Sequence, residues 1–186
     1  MSAEYTIRRQ LFAVLHTNFF LEDAQGKQIG YCRQKAFKLK EDIRIFTDES
    51  MQDERIAIKA RNIIDFGAAY DVHDSRTNKK LGALKRKGWA SMLRDTWIVM
   101  DEYDNEVGKI EEDSPTMALL RRFLSNLIPQ SFHLVDDSGE ELAKFQQNFN
   151  PFLYRLKVTV EDDCHLPAML VLSAGLLLAA VEGRQK

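Results

Sequence analysis

Lys85-Arg86-Lys87-Gly88-Trp89 sets three adjacent cations beside an indole, the residue types that meet a phosphate-bearing surface. The cations attract phosphate, and an indole ring suits the half-wet boundary of a lipid layer. With the lysines just upstream, the candidate lipid-binding residues are Lys79, Lys80, Lys85, Arg86, Lys87 and Trp89. The same chemistry can hold a nucleic-acid backbone and stack a base, and nucleic acid ranks below anionic lipid as a partner here. The plain structural alternative is a solvated turn with Trp89 tucked against the fold.

Other reactive residues are dispersed. His16, His73, His133 and His165 show no i,i+3 or i,i+4 pairing, and Cys164-His165 is at most a two-ligand fragment, so no metal site is expected. Asp101-Glu-Tyr-Asp-Asn-Glu106 has the oxygen ligands of a casual cation site, but the same composition is what a hairpin turn requires. The sequence holds no glycine-rich phosphate loop, nucleophile elbow or Cys/His dyad signature. Its paired carboxylates fall in polar turns, where nothing raises a pKa. The expectation is a protein without enzymatic activity, catalytic residues or cofactor.

The elements that carry these residues are short hairpins. Phe19–Tyr31, Ile43–Lys59, Tyr70–Lys85, Trp97–Ile110 and Phe132–Phe145 each read as an alternating apolar run, an acidic turn and a second alternating run. Asp, Asn and Gly at the turns accept the positive φ that tight hairpins demand. Adding Tyr5–Val14, a strand in Lys35–Lys40 and Phe152–Glu161 gives about a dozen strands. The copies share hairpin logic rather than a matched repeat, which favours a meander closing into a barrel over a solenoid.

A barrel that wide has an interior its wall side chains cannot fill. Leu166–Val181 supplies the filling: it is apolar on every face, and as a helix it rises about 24 Å, short of a bilayer's hydrocarbon core. Ala168, Gly175 and Ala179 offer close approach to the wall. A second, amphipathic helix is expected over about 115–128, with Ser114-Pro115 at its start, Met117, Leu120, Phe123, Leu124, Leu127 and Ile128 on one face, and Pro129 ending it. It reads as a lid on one barrel mouth, with a membrane-surface helix as the alternative.

The 186 residues fit one domain, and no boundary shows between 1 and 186. Apolar residues at 45% and charged residues at 29% are ordinary for a globular protein. Two cysteines, Cys32 and Cys164, make no disulfide framework and point to a reducing compartment. Arg8-Arg9 before Leu11–Leu15 is superficially like a twin-arginine signal, but the apolar run is short and no cleavage site follows. The expected location is cytoplasmic, with peripheral membrane association. A net charge of −2 hides local basic patches. Ser75–Arg94 holds seven basic residues and no acid, whereas Asp101–Asp113 holds seven acids and one lysine. The basic segment is expected to form one positive face, opposed by Asp101–Asp113 and Asp136–Glu141.

These hairpins, followed by Tyr154-Arg-Leu-Lys-Val-Thr-Val-Glu-Asp-Asp-Cys-His-Leu-Pro-Ala-Met-Leu-Val-Leu-Ser-Ala-Gly-Leu-Leu-Leu-Ala-Ala-Val-Glu182, resemble the tubby C-terminal-like superfamily. The likeness is to its LURP-one-related and phospholipid-scramblase-like branch, where a strand ending in acids leads into a greasy helix. It covers Tyr5 to Val181 and lies in pattern rather than a strict motif. The resemblance implies a closed antiparallel barrel of about twelve strands around a buried C-terminal helix. It also implies lipid chemistry: tubby domains bind phosphoinositide headgroups through basic side chains, and scramblases are proposed to move lipids and bind calcium. This chain lacks a scramblase's cysteine-rich and proline-rich segments, and Glu161-Asp162-Asp163 is not an ordered calcium loop. The functional expectation is therefore a non-enzymatic barrel that binds anionic phospholipid headgroups or acts as a membrane-proximal scaffold. The alternatives are a small-ligand or lipid-handling protein with a pocket at the barrel mouth, and a structural domain with an unidentified protein partner.

Overall fold

The computed structural model describes residues 1–10, 16–35, 42–61, 68–87, 96–113, 129–150 and 153–181. Twelve strands run in chain order: β1 (Ala3–Gln10), β2 (His16–Asp23), β3 (Gln28–Lys35), β4 (Asp42–Phe46), β5 (Glu54–Ala60), β6 (Ala69–Asp74), β7 (Lys79–Arg86), β8 (Trp97–Met100), β9 (Glu106–Glu112), β10 (Ser131–Val135), β11 (Glu141–Gln147) and β12 (Arg155–Val160). Each pairs antiparallel with its neighbours in sequence, and β1 pairs with β12, so the sheet closes into a barrel with no free edge. A single described helix, α1 (Ala168–Val181), follows β12.

The hairpins form where alternation meets turn chemistry. Asp23, Asp101 and Asp136 begin three of the turns, and each Oδ1 accepts from the amides two and four residues on. The fourth residue of each turn then adopts positive φ: Gly26 at 76°, Asp104 at 70° and Gly139 at 86°. Asp48 and Asp74 accept turn amides in the two other hairpins. These five turns and the β12–α1 connection lie at one end of the barrel, the turn end. The remaining six connections lie at the other, the loop end.

Alternation sends Ile7, Phe19, Leu21, Ile43, Ile45, Ile56, Ile58, Val72, Leu84, Val99, Ile110, Leu134, Phe145 and Val158 inward, onto α1. Charged residues such as Arg44, Lys109 and Lys157 occupy alternate, outward positions, the reverse of the apolar band with which a membrane barrel meets lipid. Within the wall, α1 buries Leu170, Val171, Leu172, Leu176, Leu177 and Leu178, none more than 1% exposed. At roughly 1.5–3 kcal/mol for each large apolar side chain, this burial is comparable with the whole stability of an ordinary domain. Its one hydroxyl, Ser173, donates to the Met169 carbonyl at 2.7 Å, so no polar group is stranded along the helix.

Gly175 is required by contact: a Cβ there would stand 2.9 Å from Ile7 Cδ1 and 3.3 Å from Val158 Cγ2. Ala179 is likewise wholly buried, but Ala168 is exposed in the first turn and does not meet the wall as expected. No described helix is long and apolar enough to cross a membrane. The amphipathic helix expected over 115–128 lies outside the described residues, as does the Lys35–Lys40 strand beyond Lys35, the last residue of β3.

Candidate functional site

The basic residues singled out from the sequence are carried by β7 and its flanks, and the barrel divides them between its two ends. Lys79 and Lys80 open β7 at the turn end, whereas Lys85 and Arg86 close it at the loop end, followed by Lys87. At about 3.3 Å per residue, the two groups stand on the order of 17 Å apart. Trp89 and Arg94 lie outside the described residues.

The turn-end cations are neutralised. Lys79 pairs with Glu102 at 2.9 Å. Lys80 bonds Asp104 at 2.7 Å and Asp71 at 3.3 Å. Arg61 grips the Asp71 carboxylate with Nη2 at 2.6 Å and Nε at 3.0 Å, and also reaches Asp104. Arg76 pairs with Asp53 across the neighbouring turn. Burial works against the Asp71 charge, but hydrogen bonds from Arg61 and Lys80 outweigh it and hold the carboxyl below its usual range. Lys80, then Arg61, likewise hold Asp104 down, and Arg76 does so for Asp53.

The single positive face expected for Arg76–Arg94 is therefore corrected. The acidic turn Asp101–Asp104 does not oppose the basic segment from a distance; it lies beside β7 and pairs with it, because β8 is β7's neighbour in the sheet.

At the loop end the three cations diverge. Lys85 and Lys87 are exposed, and among the described residues their side chains have no hydrogen-bond or ion-pair partner. Arg86 stands opposite Trp97, whose side chain belongs to the core, so Arg86 points into the barrel mouth. There the Tyr70 and Trp97 rings stand 6.1 Å apart. Burial raises the Tyr70 phenol's pKa, and the Arg86 charge offsets part of that.

The inner rim of this mouth is polar in a way sequence reasoning missed. Arg9, opposite core Phe19, places its guanidinium 4.9 Å over the Tyr154 ring. Glu112, opposite core Phe132, is buried. Gln34 is 4% exposed, and among the described residues neither of its amide atoms has a partner, nor does Trp97 Nε1. Extending the period-2 alternation one step beyond the last inward apolar residue of β1, β3, β7 and β9 would have found Arg9, Gln34, Arg86 and Glu112.

Among the described residues, no group of three or more His, Cys, Asp or Glu side chains is placed to hold a metal. His133 lies between the carboxylates of Asp113 and Glu141, which engage its two different nitrogens and so flank the ring instead of converging on one point.

No curated protein matches the sequence. A solved structure, the X-ray structure of a protein from Arabidopsis thaliana, superposes with a TM-score of 0.55 over 96% of this chain and 91% of that one, at 14% identity. At that identity the likeness carries the fold alone. The family model for LURP-one-related proteins matches residues 28–173, from the first residue of β3 to the first half of α1. A closed twelve-strand barrel around its own helix, with that match over most of its length, makes this chain a member of the LURP-one-related family.

Proposed function

We propose that this protein is a non-enzymatic barrel that binds anionic phospholipid headgroups at its loop end and associates peripherally with membranes. One observation carries the reading: Lys85 and Lys87 are exposed cations without a carboxylate partner among the described residues, whereas Lys79 and Lys80 are paired. An unpaired cation retains its full attraction for a phosphate. A paired one must first give up its carboxylate, so Lys79 and Lys80 leave the site and Lys85 and Lys87 remain, with Arg86 turned inward beside them and Trp89 outside the described residues.

The carboxylates support the absence of chemistry. Asp48, Asp53, Asp71, Asp74, Asp101, Asp104 and Asp136 are all held below their ordinary range, by hydrogen bonds from turn side chains and backbone amides or by cations, which is the opposite of what a general acid requires.

Sedimentation with phosphatidylcholine vesicles, with and without phosphatidylserine, tests the proposal. The protein should pellet only with the anionic vesicles, and less as salt rises, because exposed charges are screened. At about 1 kcal/mol per cation near the surface, Lys85→Ala with Lys87→Ala should weaken binding roughly thirtyfold. Lys79→Ala with Lys80→Ala should leave it within a few-fold. Equal loss in both pairs, or no pelleting at low salt, would remove the proposal.

A second reading rests on the unpartnered amide of Gln34 and indole N–H of Trp97. Buried polar atoms without partners are costly, and a small polar ligand in the mouth would satisfy the Gln34 amide. Native mass spectrometry of the purified protein, showing a bound small molecule lost on Gln34→Met, would favour this reading over the first.

A further inference from the structure

The described residues at the barrel's two ends differ in charge. The six connections at the turn end hold twelve Asp/Glu, two Lys/Arg and three large apolar or aromatic residues. At the loop end the described residues include the exposed cations Lys85 and Lys87. One pole is thus acidic and exposed cations stand at the other, but charge alone does not decide what the loop end faces.

The β11–β12 connection does decide. Asn148 holds it from both sides: its Nδ2 donates to the Leu153 carbonyl at 2.8 Å, and its Oδ1 accepts from the Arg155 amide at 2.8 Å. Asn150 Oδ1 accepts from the Leu153 amide at 3.1 Å. The backbone is tied down, yet Phe149 is 72% exposed and Leu153 is 47% exposed. The described residues 148–150 and 153 are held by these asparagines, and they present both apolar side chains outward. Tyr103, a comparably exposed aromatic, stands at the opposite pole within the acidic β8–β9 turn.

We propose that the loop end docks face-on against an anionic phospholipid bilayer, with Phe149 and Leu153 as a wedge that enters the headgroup–acyl boundary while Lys85 and Lys87 engage the headgroups. This rests on the headgroup-binding reading above and adds to it a membrane orientation and an apolar anchor. Charge selects the pole: the acidic turn end is repelled by the same surface that attracts the loop end. The apolar wedge supplies the part of the affinity that salt does not screen.

The test places an environment-sensitive nitrobenzoxadiazole label at Phe149→Cys, and in a second protein at Tyr103→Cys, both with Cys164→Ser. Cys32 is buried, with its thiol pKa pushed up to about 12 by burial, so it stays unlabelled. With phosphatidylcholine–phosphatidylserine vesicles, emission from position 149 should shift to the blue and brighten, and emission from position 103 should not change. Phe149→Ser with Leu153→Ser should keep its melting temperature and still pellet at low salt, while losing about tenfold or more of its binding at physiological salt. Pelleting with no spectral change at position 149, or an equal change at position 103, would overturn the wedge and leave headgroup binding standing. Failure to pellet under any salt would overturn both.

Discussion

Asp101 shows how much one turn residue does. Its Oδ1 accepts from the Tyr103 and Asn105 amides at 2.8 and 2.9 Å, closing the β8–β9 turn. Asp101→Ala strands those donors much as the loss of a helix cap does, at about 1 kcal/mol. In a chain of this size the expected fall in melting temperature is roughly 2–4 °C, read by calorimetry. Gln34 should behave in the opposite sense. Its buried amide lacks a partner, so Gln34→Met exchanges an unsatisfied polar group for an apolar one of similar length and should stabilise the fold by about 1 kcal/mol or more in urea denaturation. A clear loss of stability would mean that a bound molecule satisfies the amide in the folded protein. Acidic turns can be read from the sequence because Asp, Gly and their partners lie within five residues of one another. The neutralisation of Lys80 cannot be read that way, because Asp104 lies 24 residues away and meets it only through the β7–β8 register.

Among the elements, α1 bears the most weight. Gly175→Ala sets a helix-propensity gain of up to about 1 kcal/mol against an overpacking cost of about 1–3 kcal/mol, so a neutral to mildly destabilised protein is expected. Ile7 Cδ1, at 2.9 Å, is the movable end of a side chain and can yield. Gly175→Asp also buries an unpaired charge, and should cost about 4 kcal/mol or more, visible as insoluble expression. Deleting residues 165–186 should likewise give insoluble protein, whereas a soluble, folded truncation would refute α1 as the core. This helix is legible because a segment apolar on every face and too short for a bilayer has few places to go. The polar inner rim is less so, since Arg9 and Glu112 look like ordinary surface charges until the register shows which way they point.

At the scale of the whole molecule, its paired acids set the response to pH. Asp53, Asp71 and Asp104 have folded pKa values below their ordinary 3.8. A depressed carboxyl stabilises the fold above its unfolded pKa, and that contribution is lost as pH falls through the folded value. Urea midpoints should therefore be flat through neutrality and drop below about pH 4. Asp71→Asn should lower the midpoint at pH 7 and shrink that acid drop.

The pairing of β1 with β12 has a consequence during synthesis. A ribosome makes β1 first, but its second neighbour appears only when Val160 has emerged, and the filling of the barrel only with Val181. Until then the nascent chain is a curling sheet with two open edges and an unfilled concave face, a species that invites association with other chains. Contacts of such long sequence separation also make closure slow once they become available. Holdase chaperones should therefore stay bound until α1 has been translated. Premature termination anywhere upstream of α1 should send the product to proteolysis instead of leaving a partly working barrel.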